Sequence, residues 1–176
     1  MKAPLFLLLA PALWAQQAPS TSLALEGGLQ TGDFAQKQSL GLHLAWHNLF
    51  SNPGHYLKAS WLRGCHGKGE RASQLVAVTF GKSSGYANPW QPSWGGGIGY
   101  WSHPNETSED LPPDLVPGVI ASDAWVFVLE ANLHYQPGGR WFFGAGLQGW
   151  AEISDYADTS DVLQSLRAHA FLGLKW

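Results

Sequence analysis

The final eleven residues, Leu166 to Trp176, place Leu166, Ala168, Ala170, Leu172, Leu174 and Trp176 on one face of an extended strand. Arg167, His169, Phe171, Gly173 and Lys175 fall on the other face. One face is uncharged and ends on an aromatic ring, and all of the charge lies opposite. That pattern suits hydrocarbon on one side and a polar interior on the other. In lipid every backbone N–H and C=O must find a partner within the protein, so such a strand belongs to a closed barrel.

The rest of the chain narrows the choice. Lys2 followed by the apolar run Pro4 to Leu13 is too short to span a bilayer as a helix but fits the core of a signal peptide, with cleavage expected after Ala15. Residues 16–176 then form one domain. No later segment has 18 consecutive apolar residues, so insertion must use strands. Ten Trp, 21 Gly and only 13% charged residues favour strands and turns over helix surfaces. The lone Cys65 has no internal partner and reads as a tolerated loop thiol, and a net charge of -3 gives no reason to expect nucleic acid.

Eight alternating segments recur between turn-rich stretches. The first, Ser22 to Gln30, sets Leu23, Leu25 and Leu29 against Ala24, Glu26 and Gln30. The second, Lys37 to His47, sets Leu40, Leu42, Leu44 and Trp46 against Gly41, His43, Ala45 and His47. The third, His55 to Arg63, sets Leu57, Ala59 and Trp61 against Tyr56, Lys58 and Ser60. The fourth, Ala72 to Gly81, is apolar on both faces, and the fifth, Ser93 to His103, is glycine-rich, so neither fixes its own facing. In the sixth, Trp125, Phe127, Leu129, Ala131, Leu133 and Tyr135 form an uncharged stripe with aromatics at both ends, opposite Glu130, Asn132 and His134. The seventh, Arg140 to Ile153, opposes Trp141, Phe143, Ala145, Leu147 and Ala151 to Gly144, Gly146, Gln148 and Glu152, and the eighth ends the chain.

A strand of this length, tilted near 40°, covers roughly 25 to 28 Å, the height of the apolar band of an outer-membrane barrel. The expected fold is all-β: an eight-stranded antiparallel up-and-down transmembrane barrel. With both mature ends on the periplasmic side, the turns Asn48 to Gly54 and Gln136 to Gly139 are suitably short, and the longest connection, Pro104 to Ser122, falls outside. Lys82 to Pro92 is long for a periplasmic turn, so it reads either as a small ordered turn or as a sign that the neighbouring strand ends lie elsewhere.

These features resemble the small eight-stranded bacterial outer-membrane proteins of the OmpA transmembrane-domain and OmpX type. The resemblance rests on the signal peptide, the eight amphipathic segments and the ending Ala168-His169-Ala170-Phe171-Leu172-Gly173-Leu174-Lys175-Trp176. It implies a bacterial outer-membrane location and contact with outer-membrane lipids. It also implies recognition by the barrel-assembly machinery through the C-terminal strand, where Phe is the commoner final residue and Trp a variant. A monomer is expected. The resemblance is architectural, and no motif selects a subfamily.

The candidate lipid-facing set is Leu42, Leu44, Trp46, Trp125, Phe127, Leu129, Leu133, Tyr135, Leu172, Leu174 and Trp176. The candidate interior polar network is Glu26, His43, Lys58, Glu130, Asn132, His134, Gln148, Glu152, Arg167, His169 and Lys175. Charges of both signs in a narrow lumen must pair or stay wetted, which points to a salt-bridged plug, with Arg167, His169 and Lys175 set against Glu26, Glu130 and Glu152. Eight strands leave little bore for a pore.

No cofactor, no metal site and no catalytic residue are expected. His43 and His47 lie four apart on one strand face, roughly 13 Å, too far to share an ion unaided. Glu106, Glu109, Asp110 and Asp114, with Asp155, Asp158 and Asp161, have the oxygen chemistry of a divalent-cation site but read as solvated loops. Arg63, His66, Lys68 and Arg71 suit lipid phosphates near the outer leaflet. Asn105-Glu106-Thr107 is a chance match to a glycosylation sequon, and His66-Gly67-Lys68-Gly69 lacks the spacing of a phosphate loop and reads as a turn.

The functional expectation is a non-enzymatic envelope protein: membrane structure, surface contact or a narrow, mostly closed passage. One alternative is a lipid A-modifying enzyme, an acyl hydrolase or acyltransferase. The acyl hydrolases use a His/Ser pair with a carboxylate, and His47-Asn48-Leu49-Phe50-Ser51 lacks the right spacing, so the enzyme reading requires a Ser or Asp close to His134, His169 or another His near the outer interface. The other alternative is a soluble periplasmic barrel carrier, which requires Leu133, Leu172 and Leu174 to face inward.

Overall fold

The computed structural model describes residues 19–32, 37–49, 54–65, 73–84, 89–102, 124–153 and 165–176. The expected signal peptide lies outside them, as do Ser51, His66 to Arg71, Asn105 to Thr107, and the acidic clusters at 106–114 and 155–161. Within them the chain forms β1 (Ser20–Gly32), β2 (Lys37–His47), β3 (His55–Cys65), β4 (Gln74–Ser83), β5 (Trp90–Ser102), β6 (Ala124–Tyr135), β7 (Trp141–Glu152) and β8 (Ser165–Lys175). Each strand pairs antiparallel with its sequence neighbours, and β8 pairs back onto β1, closing an up-and-down barrel. Thr21 and Trp176 exchange two backbone hydrogen bonds of 2.9 Å, so the terminal aromatic takes part in the closing seam.

Several strand ends differ from the sequence reading by a few residues, and two of them bear on the link that reading found too long. β4 runs two residues past Gly81 and β5 begins at Trp90 rather than Ser93, which reduces the awkward fourth link to residues 84–89. Pro92 lies inside β5, where a missing N–H breaks the helix and strand rules that sequence reading relies on. The outer connections are not uniformly long, because β1 and β2 are joined by residues 33–36 alone. The turn of 48–54 closes because Asn48 accepts a left-handed backbone (φ 59°) while its Oδ1 takes the Gly54 N–H at 3.2 Å, and Gly54 itself has φ 93°.

The register sets the shape of the lumen. Following paired residues from Ser20 through His47, Tyr56, Gly81, Gly95, Glu130, Gln148 and Arg167 returns to β1 at Gln30, ten residues further along. A stagger of that size on eight strands tilts them by roughly 40° and leaves an interior that side chains can fill. The two ends differ. One carries residue 19, Trp176 and the links 48–54, 84–89 and 136–140, and is called the turn end. The other carries links 33–36, 66–73, 103–123 and 153–164, and is called the loop end.

Side chains alternate between the two surfaces, most strictly on β4 and β6. β4 reads exposed and buried in strict turn, with Val76, Val78 and Phe80 outward and Leu75, Ala77 and Thr79 inward, so pairing with β3 and β5 settles the facing its own apolarity left open. On β5, Trp94, Ile98 and Tyr100 point out and Trp101 points in. The outer surface is an aliphatic belt including Leu25, Leu42, Leu129 and Leu147, bounded by aromatics. At the turn end Trp90, Tyr135 and Phe143 form a chain of rings with centroids 4.6 and 5.1 Å apart, and at the loop end Tyr100 meets Trp125 at 5.4 Å. This is the cross-section of a transmembrane barrel, with girdles at two interfaces.

The barrel interior as a candidate functional site

The inward face is not uniformly polar; it has three storeys. At mid-height Lys58 on β3 pairs with Glu130 on β6, whose side chain is wholly buried. Tyr56 Oη donates to Glu130 Oε1 at 2.9 Å and Thr79 Oγ1 donates to the same oxygen at 3.1 Å, so one carboxylate accepts from three side chains on two strands, β3 and β4. Tyr56 reaches it because β4 and β5 present glycines there. A Cβ on Gly81 would overlap the phenol ring, and one on Gly95 would lie 2.7 Å from its oxygen. In an eight-stranded lumen a large side chain on one strand demands a missing one on the next.

A second carboxylate, Glu26 on β1, lies between Arg167 and two histidines. Arg167 Nη1 stands 3.4 Å from Glu26 Oε2, and His43 Nδ1 and His169 Nε2 each stand 3.7 Å from it. Arg167 is fully buried, and its Nε donates to Ser39 Oγ at 2.7 Å. Arg167 Nη1 makes no formal hydrogen bond, so the contact with Glu26 is one of charge. Removing either carboxylate would strand a buried cation, a cost that holds the two clusters together.

Toward the loop end the lumen turns apolar. Leu62, Leu75, Ala77, Trp101, Val126, Val128 and Trp150 form one buried cluster, with Trp101 and Trp150 stacked at 5.4 Å. The sequence reading of a wholly polar filling is corrected here: the residues of β3 to β7 nearest the loops seal the bore with hydrocarbon and indole. Toward the turn end the lumen opens instead. Ser22 Oγ and His47 Nε2 are 2.8 Å apart, Ser93 Oγ and His134 Nε2 are 2.9 Å apart, and Phe142 and Phe171 pack beneath them.

Of the eleven interior candidates, the structure groups Glu26, His43, Arg167 and His169, and separately Lys58 with Glu130. Asn132 and Gln148 are buried beside them, each with a side-chain oxygen lacking a protein partner. His134 and Lys175 stand apart at the turn end. Lys175 makes no ion pair with Glu26 or Glu130, which are engaged by other side chains, and the side chain of Glu152, the third carboxylate set against it, lies outside the described residues. The other set points outward: Leu42, Trp46, Trp125, Phe127, Leu129, Leu133, Leu172, Leu174 and Trp176 are exposed, and Leu44 and Tyr135 half-buried on the same surface. Leu133, Leu172 and Leu174 therefore contradict the soluble-carrier alternative, which needs them inside. Tyr56, Thr79 and the two serines were missed because hydroxyls carry no charge signal, and only register shows that they meet a Glu or a His.

The Ser–His pairs bear on the enzyme alternative. Ser93 beside His134 meets the part of that alternative that asked for a Ser close to this His, although both pairs stand at the turn end rather than the loop end. Among the described residues no carboxylate approaches the far ring nitrogen of His47 or His134, so neither pair has the third group that orients a catalytic imidazole.

No family model matches the sequence, and no curated protein matches it. Solved structures match in fold. The N-terminal β-barrel domain of Pseudomonas aeruginosa OprF is 14% identical, with 88% of this chain and 97% of that one covered, at a TM-score of 0.62. Neisserial surface protein A is 8% identical, with 89% and 95% covered, at 0.56. The outer membrane protein OprG from Pseudomonas aeruginosa is 12% identical, with 90% and 95% covered, at 0.51. The chain has the fold of small eight-stranded outer-membrane barrels, and at such identities the likeness is one of fold.

Proposed function

We propose that this chain is a non-enzymatic bacterial outer-membrane protein, a sealed barrel that contributes envelope structure and displays its loop-end connections at the cell surface. The observation that carries the reading is the pairing of an outward apolar belt between two aromatic girdles with a bore blocked at two heights. Lipid solvates the belt, and the turn end with both described chain ends faces the periplasm. The Trp101–Trp150 stack and the Lys58–Glu130 pair oppose conduction, because an ion would have to displace a buried ion pair and then cross hydrocarbon. Contact with the assembly machinery through β8 belongs to the same reading.

The test has two arms. Membrane fractionation with heat-modifiable gel migration reports a folded outer-membrane barrel, and planar-bilayer recording of the refolded chain reports the bore. Stable unitary currents from the wild type would overturn the sealed reading while leaving the location intact. Recovery in the soluble periplasmic fraction would overturn both.

A further inference from the structure

The turn-end chamber has a property the sealed reading does not use: its one lining carboxylate, Glu130, is already engaged, while Lys175 stands at its mouth. Two small adjoining cavities share Ser22, His47, Ser83 and His134 in their walls and are taken together as the turn-end chamber. Lys175 and Gln136 line its mouth, and Lys58 and Asn132 its floor.

Charge accounting singles out the mouth. Lys58 is taken by Glu130 and Arg167 by Glu26, whereas Lys175 has no carboxylate partner among the described residues. The links at this end, 48–54, 84–89 and 136–140, contain no Asp or Glu. Eleven of the 13 acidic residues fall in or beside the links of the opposite end, and the remaining two are Glu26 and Glu130. The one carboxylate lining the chamber, Glu130, already accepts from Tyr56, Lys58 and Thr79.

The neutral donors fit the same ligand. His47 and His134 each commit one ring nitrogen to a serine hydroxyl, and the other has no hydrogen-bond partner among the described residues. The buried Oδ1 of Asn132 lacks any donor, which a protonated oxyanion or a water supplies. We propose that the turn-end chamber binds a small oxyanion, a phosphate or carboxylate group, held by Lys175 together with His47 and His134. An ammonium partly withdrawn from water gains most from a counter-anion that also replaces its lost hydrogen bonds. Access from the periplasm rests on the orientation proposed above; the binding site does not.

The test is titration of the refolded barrel, labelled at His rings and Lys side chains, with inorganic phosphate and then acetate in zwitterionic micelles, at constant ionic strength with chloride as reference. The expected result is saturable NMR shifts at His47, His134 and Lys175, with half-saturation on the order of 1 to 10 mM. Lys175→Met weakens binding at least about tenfold, a loss of about 1.4 kcal/mol. His134→Gln weakens it as well and serves should Lys175→Met not fold, with heat-modifiable migration as the folding control. Lys82→Met, on the outer surface, leaves binding unchanged. Doping the micelles with phosphatidylglycerol separates a free anion from a lipid headgroup: a chamber site keeps its phosphate response. Linear shifts without saturation would overturn the proposal, as would shifts indifferent to both chamber variants or lost with Lys82→Met. So would a response transferred to Lys82 and Arg140 by the lipid.

Discussion

Lys58 and Glu130 sit 72 residues apart in sequence and meet inside the barrel, so their coupling tests the register and the interior chemistry together. In Lys58→Met the Glu130 carboxylate keeps the Tyr56 and Thr79 donors but loses its counter-charge while its side chain stays buried. Removing one member of a buried pair costs about 3–5 kcal/mol. Glu130→Gln strands the Lys58 ammonium and should cost a similar amount, whereas the double variant leaves a neutral amide that still accepts from Tyr56 and Thr79. It should lie closer to wild type than either single variant, giving a coupling of at least about 2 kcal/mol. The assay is urea unfolding and refolding in phosphatidylcholine vesicles, read through the fluorescence of the ten tryptophans. Single-variant losses under about 1 kcal/mol, or losses that simply add in the double variant, would refute the reasoning.

Other outcomes follow from the same geometry. Leu129→Arg, at the middle of the outward stripe of β6 and 62% exposed, should lower stability in vesicles by about 2–4 kcal/mol, whereas Trp141→Arg at the turn-end girdle should cost about 0–1 kcal/mol from charge alone, measured in the same unfolding assay. Gly97→Ala places a methyl against the backbone of Val78 and Thr79 and should cost about 1–3 kcal/mol or block refolding, while a Cβ at Gly27 meets Leu40 at an ordinary 3.6 Å and Gly27→Ala should refold normally by gel migration. Trp150→Ala opens a void beside Trp101 and should cost about 3–5 kcal/mol in that assay.

What could be read from the chain alone divides along the barrel wall. The outward stripe was legible because its surroundings are uniform: every lipid-facing position of β2, β6 and β8 asks for the same kind of side chain, so period two appears within one strand. β4 defeated that reading, since Leu75 and Ala77 are apolar for a different reason from Val76 and Val78: they belong to the loop-end seal. A short apolar run cannot report which of two dry neighbours it faces.

The inside is written across strands rather than along them. Ser20 and Arg167 belong to one paired path only because of a ten-residue stagger, and no single segment carries that number. The register puts Tyr56 over Gly81 and Gly95, which lets its phenol reach Glu130. The same offset leaves Lys175, the last residue of β8, at a mouth whose turns hold no acid, while the acidic residues crowd the opposite links. Composition gives a net charge of -3, yet the chamber that opens at the turn end is cationic. A chain-wide average hides that local charge, and the topology that separates the two kinds of charge supports the proposed anion.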